Sequence, residues 1–246
     1  MISKTEIEGL KLCSLYAFTP NKLNYCGAKN SFEILKEFIE KPSKENALKA
    51  KNALETFCAL NEFLELIAEC NERKKFDLNV VKAYWLGNEL LEKISNEKLK
   101  ETLALIWQKA KKEEMIKKIN EMPLNLKAHH SILLFSGFMN KNLKEELKNK
   151  SNCIISWGKV IERKKEKIKV KGIELIKLNN EIALKEKTIE VLNPFNLKAQ
   201  KNDFISIHWK NAIQIIEKNE LKELKKYTLN NLNAIKKINS PQNKFS

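Results

Sequence analysis

Glycine and proline are scarce in this chain, with six and five residues in 246. That shortage excludes collagenous and low-complexity readings, and with 43% hydrophobic residues it describes a folded protein rich in regular elements. Long apolar runs are missing as well. None approaches the roughly 18 residues that a membrane span requires, so no membrane partner is expected. Cysteine is present without a disulfide pattern: Cys13, Cys26, Cys58, Cys70 and Cys153 are odd in number, widely spaced, free of any CxxC pair and preceded by no signal peptide. They read as reduced thiols of a cytoplasmic protein. The sequence also lacks a P-loop, a GxGxxG and a GxSxG, so no enzyme class is indicated and the chain is read as a non-enzyme.

What is abundant is lysine. The net charge is +15, with 20 basic and ten acidic side chains in residues 151–246 against 26 and 21 in residues 1–150. Clustered lysine attracts phosphate, which makes nucleic acid a possible partner. Most of this lysine is interleaved with asparagine and reads as solvated surface. The length suits two modest domains, each able to bury a core.

Residues 1–150 carry apolar residues at helical spacing. "IEGLKLCSLYAF" places Ile7, Leu10, Cys13, Leu15 and Ala17 on one helix, with Pro20 expected to end it at "TPN". A second helix is expected from Asn30 through "SFEILKEFIE" to Pro42, capped by Ser31 or Asn30. "SKENALKAKNALETFCALNEFLELIAECNE" predicts one long helix capped by Ser43, with Leu48, Leu54, Phe57, Leu60, Leu64 and Ile67 inward. Asp77 opens a further helix through "AYWLGNELL", where Tyr84, Trp85 and an apparently mid-helix Gly87 suggest close packing. "NEKLKETLALIWQKAKKEEMIKKI" follows with Leu99, Leu103, Ile106 and Ile116 inward. "HHSILLFSGF" and a short polar segment, "NKNLKEELKNKSN", close a helical bundle.

At Cys153 the periodicity changes. "CIISWGKVIE", "KIKVKG", "IELIKL", "EIALK", "TIEVL" and "FISIHW" with "AIQII" predict five or six short strands, split by Asn179-Asn180 and interrupted at Pro194. A small closed barrel fits them, because closure removes exposed edges. "NELKELKKYTLNNLNAI" then predicts a last helix capped by Asn219, with Leu221, Leu224, Thr228, Leu232 and Ile235 on one side. The fold class is α+β, with a helical domain over 1–150 and an OB-type barrel plus C-terminal helix over 151–246.

The barrel segment has a specific order of features. Cysteine leads "CIISWGKVIE", Gly158 follows, a "KIKVKG" hairpin comes next, and "NDFISIHWKNAIQII" precedes the last helix. This order resembles the small OB-barrel chaperones that assemble nickel-iron hydrogenases, the HypC/HupF type, over roughly residues 153–238. The resemblance implies a pair, Cys153 and His208, that transiently holds an iron fragment with cyanide and carbonyl ligands. It implies as partner a hydrogenase large subunit or a maturation factor. The sequence differs from that family in having Asn152 ahead of Cys153, Trp157 ahead of Gly158 and Trp209 after His208. The whole chain also resembles an uncharacterised prokaryotic family that joins a helical half, with "FTPNKLNYCG", to such a barrel, a resemblance that implies no activity.

A thiolate and a neutral imidazole suit low-valent iron, and two ligands leave the rest of the coordination to the cargo or to a client. Strand alternation puts Phe204, Ser206 and His208 on the less apolar side of their strand, predicting an accessible imidazole. The plainer reading makes Cys153 a small buried hydrophobe and His208 a hydrogen-bonded strand-end residue. Cys26, in a turn-rich loop, with His129 or His130 is a conceivable nucleophilic pair. Adjacent histidines diverge by about 100° on a helix and 180° on a strand, which makes His129 and His130 poor joint ligands for one metal. Trp157 and Trp209 are candidates to stack at one barrel mouth or to plug a domain interface. An alternative function is single-stranded nucleic-acid binding by the barrel, or a pure protein-interaction module.

Overall fold

Ser3 starts the first helix of the computed structural model with a capping box: its hydroxyl accepts from the Glu6 amide and the Glu6 carboxylate accepts from the Ser3 amide. The structure describes residues 2–117, 119, 122, 125–134, 143–178 and 181–239. Two compact units make up the chain, Met1–His129 and His130–Ser246. The division falls just after His129, ahead of the boundary at 150 expected from the change of periodicity.

The first unit is helical. Helix α1 (Lys4–Lys22) buries Leu10, Cys13 and Ala17 and leaves Ile7 and Leu15 half-buried. It continues through Pro20, contrary to the expected stop. Proline removes one donor and strains the residue before it, a cost that the last turn tolerates because the helix ends two residues later. The end-of-helix carbonyls of Thr19 and Pro20 accept from the Leu23 and Tyr25 amides at 3.0 and 2.8 Å. Buried Asn21 then organises the loop that follows. Its Nδ2 donates to the carbonyls of Cys26 and Ala28, and its Oδ1 accepts from the Phe32 amide.

Helix α2 (Ser31–Glu40) forms where expected but stops short of Pro42, and Asn30, at φ 65° before its first turn, makes no side-chain cap bond. The long helix predicted from Ser43 is two, α3 (Lys44–Leu54) and α4 (Cys58–Cys70). Ser43 caps the first, accepting from the Asn46 amide at 3.1 Å. Thr56 makes the break: its hydroxyl donates to the Ala53 carbonyl and accepts from the Ala28 amide. Asn61 Nδ2 donates to the Leu54 carbonyl, which continuous helix would have used, and to the Phe57 carbonyl, which also accepts from the Asn61 amide. The apolar stripe survives the break, apart from Leu48, which is 52% exposed.

Asp77 caps α5 (Leu78–Trp85), accepting from the Asn79 amide. Gly87 is not inside a helix. At φ 86° it ends α5, its amide reaching the carbonyls of Lys82 and Ala83. A 3-10 turn, Glu89–Lys93, follows, then α6 (Asn96–Lys109) and the short α7 (Glu113–Lys117), separated where Lys111 takes φ 55°. Tyr84 and Trp85 are core residues, and Trp85 stacks on Tyr16 at 4.7 Å between ring centroids.

The second unit opens with a 3-10 turn, His130–Leu134, and helix α8 (Leu143–Cys153). The remainder of "HHSILLFSGF" and the start of the polar segment lie outside the described residues. Five strands follow: β1 (Ser156–Arg163), β2 (Lys167–Leu178), β3 (Glu181–Leu192), β4 (Phe204–His208) and β5 (Asn211–Ile216). They form a closed barrel in the order β1-β2-β3-β5-β4, antiparallel except where β3 meets β5 at Leu192 and Asn211. That order, with one parallel closure, is OB-like. The stretches expected as four short strands in β2 and β3 are two long ones paired throughout from Lys167–Leu192 to Leu178–Glu181. Asn179 and Asn180, the expected split, lie outside the described residues.

The barrel core is Val160, Ile168, Val170, Val191, Ala199, Ile205, Ile207 and Ala212. Gly158 and Gly172 face each other across β1 and β2, and a Cβ on Gly158 would stand 2.7 Å from Val170 Cγ2. Helix α9 (Lys218–Asn239) closes the unit. Its first turn is capped not by Asn219 but by Glu220, whose carboxylate accepts from the Glu217 amide. Leu221, Leu224, Thr228, Leu232 and Ile235 are all buried, as the helical spacing predicts. Among the described residues no helix is long and apolar enough to cross a membrane.

Candidate metal centre

Cys153 does not head a strand. It is the last residue of α8, separated from β1 by Ile154 and Ile155, and it is 8% exposed. The run "CIIS" has too little periodicity to separate a helix end from a strand start, and the polar residues before it are what carry the helix. Ser151 and Asn152 fix this helix end. The Ser151 hydroxyl accepts from the Leu175 amide at 3.0 Å, and the Asn152 carbonyl accepts from the Trp209 amide at 2.7 Å.

His208 ends β4 opposite Asn211, and the two residues between them, Trp209 and Lys210, make the turn with φ of 48° and 57°. Positive φ at both central positions is the signature of a type I′ hairpin, usually built with Asn-Gly because a bulky side chain is strained there. The turn is held by its neighbours: the Lys210 carbonyl accepts from the Leu192 amide, Asn211 Nδ2 donates to the Trp209 carbonyl, and the Trp209 amide reaches Asn152. Local strain is thus fixed at the residue after one candidate ligand and tied to the residue before the other.

The expected accessible imidazole is buried, with His208 only 1% exposed. Alternation correctly sends Ile205 and Ile207 into the barrel, but the outward face of β4 is covered rather than wet, and Ser206 is 0% exposed. The cover includes His130. Its ring meets that of His208 edge to face, and the next residue, Ser131, accepts through its hydroxyl from Asn231 Nδ2 of α9 at 2.9 Å.

One ring nitrogen each of His130 and His208 and the Sγ of Cys153 all lie within 4.8 Å of one another, and all three residues are buried. Ligand atoms around one ion at about 2.0–2.3 Å are separated by about 3.3–4.0 Å, so a contraction of about 1 Å closes the group on a metal. A thiolate and two imidazoles suit zinc, copper and iron. Three protein ligands leave at least one coordination position for another group. Each ligand is adjacent in sequence to a residue with a fixed hydrogen bond: Ser131 to Asn231, Asn152 to Trp209, and Trp209 to Asn152.

The remaining candidates are arranged differently. His129 belongs to the first unit and is fully buried. Desolvation lowers its pKa to about 3, partly offset by a hydrogen bond to the Trp85 backbone. The two adjacent histidines do diverge, one into each unit. Cys26 is an exposed residue of the first unit, and desolvation of its thiol pushes the pKa up to about 11, so it is a neutral thiol at neutral pH. Cys13 is buried, and desolvation raises it to about 12. Trp157 lies under Lys225, whose Nζ is 5.8 Å from the ring centroid, while Trp209 sits edge-on to His208 at 6.5 Å.

Fold and site together define an α+β protein in which a helical unit precedes an OB-like barrel bearing a buried His-Cys-His group. The chain belongs to DUF6390, a family of unknown function, whose family model covers residues 5–242. No curated protein and no solved structure matches it.

Proposed function

We propose that the barrel unit is a transition-metal carrier of the assembly-chaperone kind, holding one metal unit on His130, Cys153 and His208. The observation behind this reading is the convergence of three ligands from a 3-10 turn, a helix end and a strand end within 4.8 Å. A structural zinc site takes four protein ligands, whereas three leave a position for a ligand that arrives with the metal or belongs to a client. The hydrogenase-chaperone resemblance supplies a specific cargo and partner: an iron fragment with cyanide and carbonyl ligands, passed to a hydrogenase large subunit or received from a maturation factor. His130 extends the pair that the resemblance implies to a third ligand.

Nucleic-acid binding has less support. Three of the exposed lysines of the β2–β3 hairpin pair with cross-strand glutamates, Lys167 with Glu190 at 2.7 Å, Lys171 with Glu186 at 2.8 Å and Lys187 with Glu174 at 3.2 Å. These pairs reduce the field that a phosphate backbone would meet.

The test is co-expression with hydrogenase maturation proteins, followed by metal analysis and infrared spectroscopy for cyanide and carbonyl bands. The carrier reading expects iron and both sets of bands in the wild type and their loss in Cys153→Ala. Identical spectra and iron content in the two proteins remove the iron-carrier function.

A further inference from the structure

We propose that the His130–Cys153–His208 centre selects a metal unit of net charge +1, either a soft monovalent ion or a divalent ion that brings one anion with it. This inference rests on the metal reading of the same three residues and adds what that reading leaves open, the charge of the cargo; an iron(II) fragment meets it when it carries one cyanide beside its neutral carbonyls. Cys153 binds as thiolate, its proton passing to solvent, and contributes one negative charge; two neutral imidazoles contribute none. All three residues are buried, and among the described residues no carboxylate joins the group.

An uncompensated charge in a desolvated site is penalised, because the low dielectric that strengthens a matched pair also raises the cost of an unmatched one. A monovalent copper ion on one thiolate and two imidazoles is neutral and satisfied by three ligands. A bare divalent ion would leave one positive charge buried. The position that three protein ligands leave open is where a compensating anion can bind directly to the metal.

The experiment compares wild-type protein with copper(I), by anaerobic competition against a chromophoric chelator, and with cobalt(II), in halide-free buffer with and without azide. One copper(I) per chain is expected without any added anion. Cobalt(II) affinity is expected to rise by roughly tenfold or more with azide, a factor of ten being one step on the affinity scale, and native mass spectrometry should show cobalt and azide in the same adduct. His130→Asp, which supplies the second negative charge from the protein, should bind cobalt(II) without dependence on azide. Equal cobalt(II) affinity with and without azide in the wild type overturns the charge selection while leaving the metal centre intact. Failure of both metals to bind, or equal binding by a folded Cys153→Ser protein, overturns the metal reading itself and this inference with it.

Discussion

The imidazoles of His130 and His208 meet edge to face, with ring centroids 5.3 Å apart and planes at 83°. One comes from the 3-10 turn that opens the second unit, the other from the end of β4, and Cys153 at the end of α8 completes the group. Backbone and side-chain bonds at the neighbouring residues hold these elements together, so the geometry of the His-Cys-His group depends on residues outside it.

Asn231→Ala removes the donor to Ser131 and frees the turn that carries His130. Loss of such an orienting contact is expected to weaken metal binding by about 10–100-fold. A cobalt(II) competition titration measures this. Leu224→Ala on the same helix, a fully buried residue, serves as the control: it should lower stability by about 2–5 kcal/mol with little effect on affinity. Equal affinity losses in the two variants would assign Asn231 to stability alone.

Lys210 is exposed and held at φ 57° in the turn after His208. Lys210→Gly removes the Cβ penalty of the left-handed conformation and keeps the carbonyl that binds Leu192, so it should stabilise the barrel by about 0.5–1 kcal/mol. Chemical denaturation checks it. A lower midpoint would mean that the lysine stem contributes more than the strain costs.

Gly158→Ala introduces a Cβ 2.7–2.8 Å from the Val170 side chain and 3.3 Å from the Gly172 Cα. Overpacking of this kind costs about 1–3 kcal/mol. Gly158→Ala with Val170→Ala should lose less than the sum of the single changes, because the second makes room for the first. Additive losses in a double-mutant cycle would contradict this packing.

The parts of the fold legible in the sequence are those with a local cause. Ser43 and Asp77 cap their helices through their own side chains, and the stripe Leu221, Leu224, Leu232 and Ile235 buries α9 by spacing alone. The breaks at Thr56 and Lys111 were not legible. The first depends on a bond from Thr56 to Ala28, distant in sequence, and the second on a left-handed lysine with no glycine to mark it. The order of barrel features pairs Cys153 with His208, which do lie near each other, but it places Cys153 on a strand when it ends a helix. Adjacent histidines diverge and so are poor joint ligands, and the same divergence leaves His130 to the barrel while His129 goes to the helical unit. The burial of His208 was hidden because alternation tells which side of a strand a residue is on and not what covers that side.

Burial lowers the His129 pKa to about 3 from an ordinary 6.5, so the folded protein holds this ring neutral while the unfolded chain protonates it below about pH 6.5. The unfolded state therefore binds the extra proton, and stability is full above that pH and declines as pH falls toward 3, by up to a few kcal/mol. His129→Asn should flatten this slope between pH 6.5 and 4 in denaturant melts followed by Trp fluorescence. An unchanged slope would place the acid sensitivity elsewhere.

The central claim is that Cys153, His130 and His208 bind one metal ion together. Cobalt(II) titration in the presence of azide, followed by absorbance, tests it most directly, since thiolate ligation produces a sulfur-to-cobalt charge-transfer band and the visible bands report coordination number. The account predicts saturation at one cobalt per chain with the charge-transfer band in the wild type, loss of that band in folded Cys153→Ala, and weaker binding with altered visible bands in His130→Ala and His208→Ala. A wild-type protein that shows no charge-transfer band at saturating cobalt would contradict it.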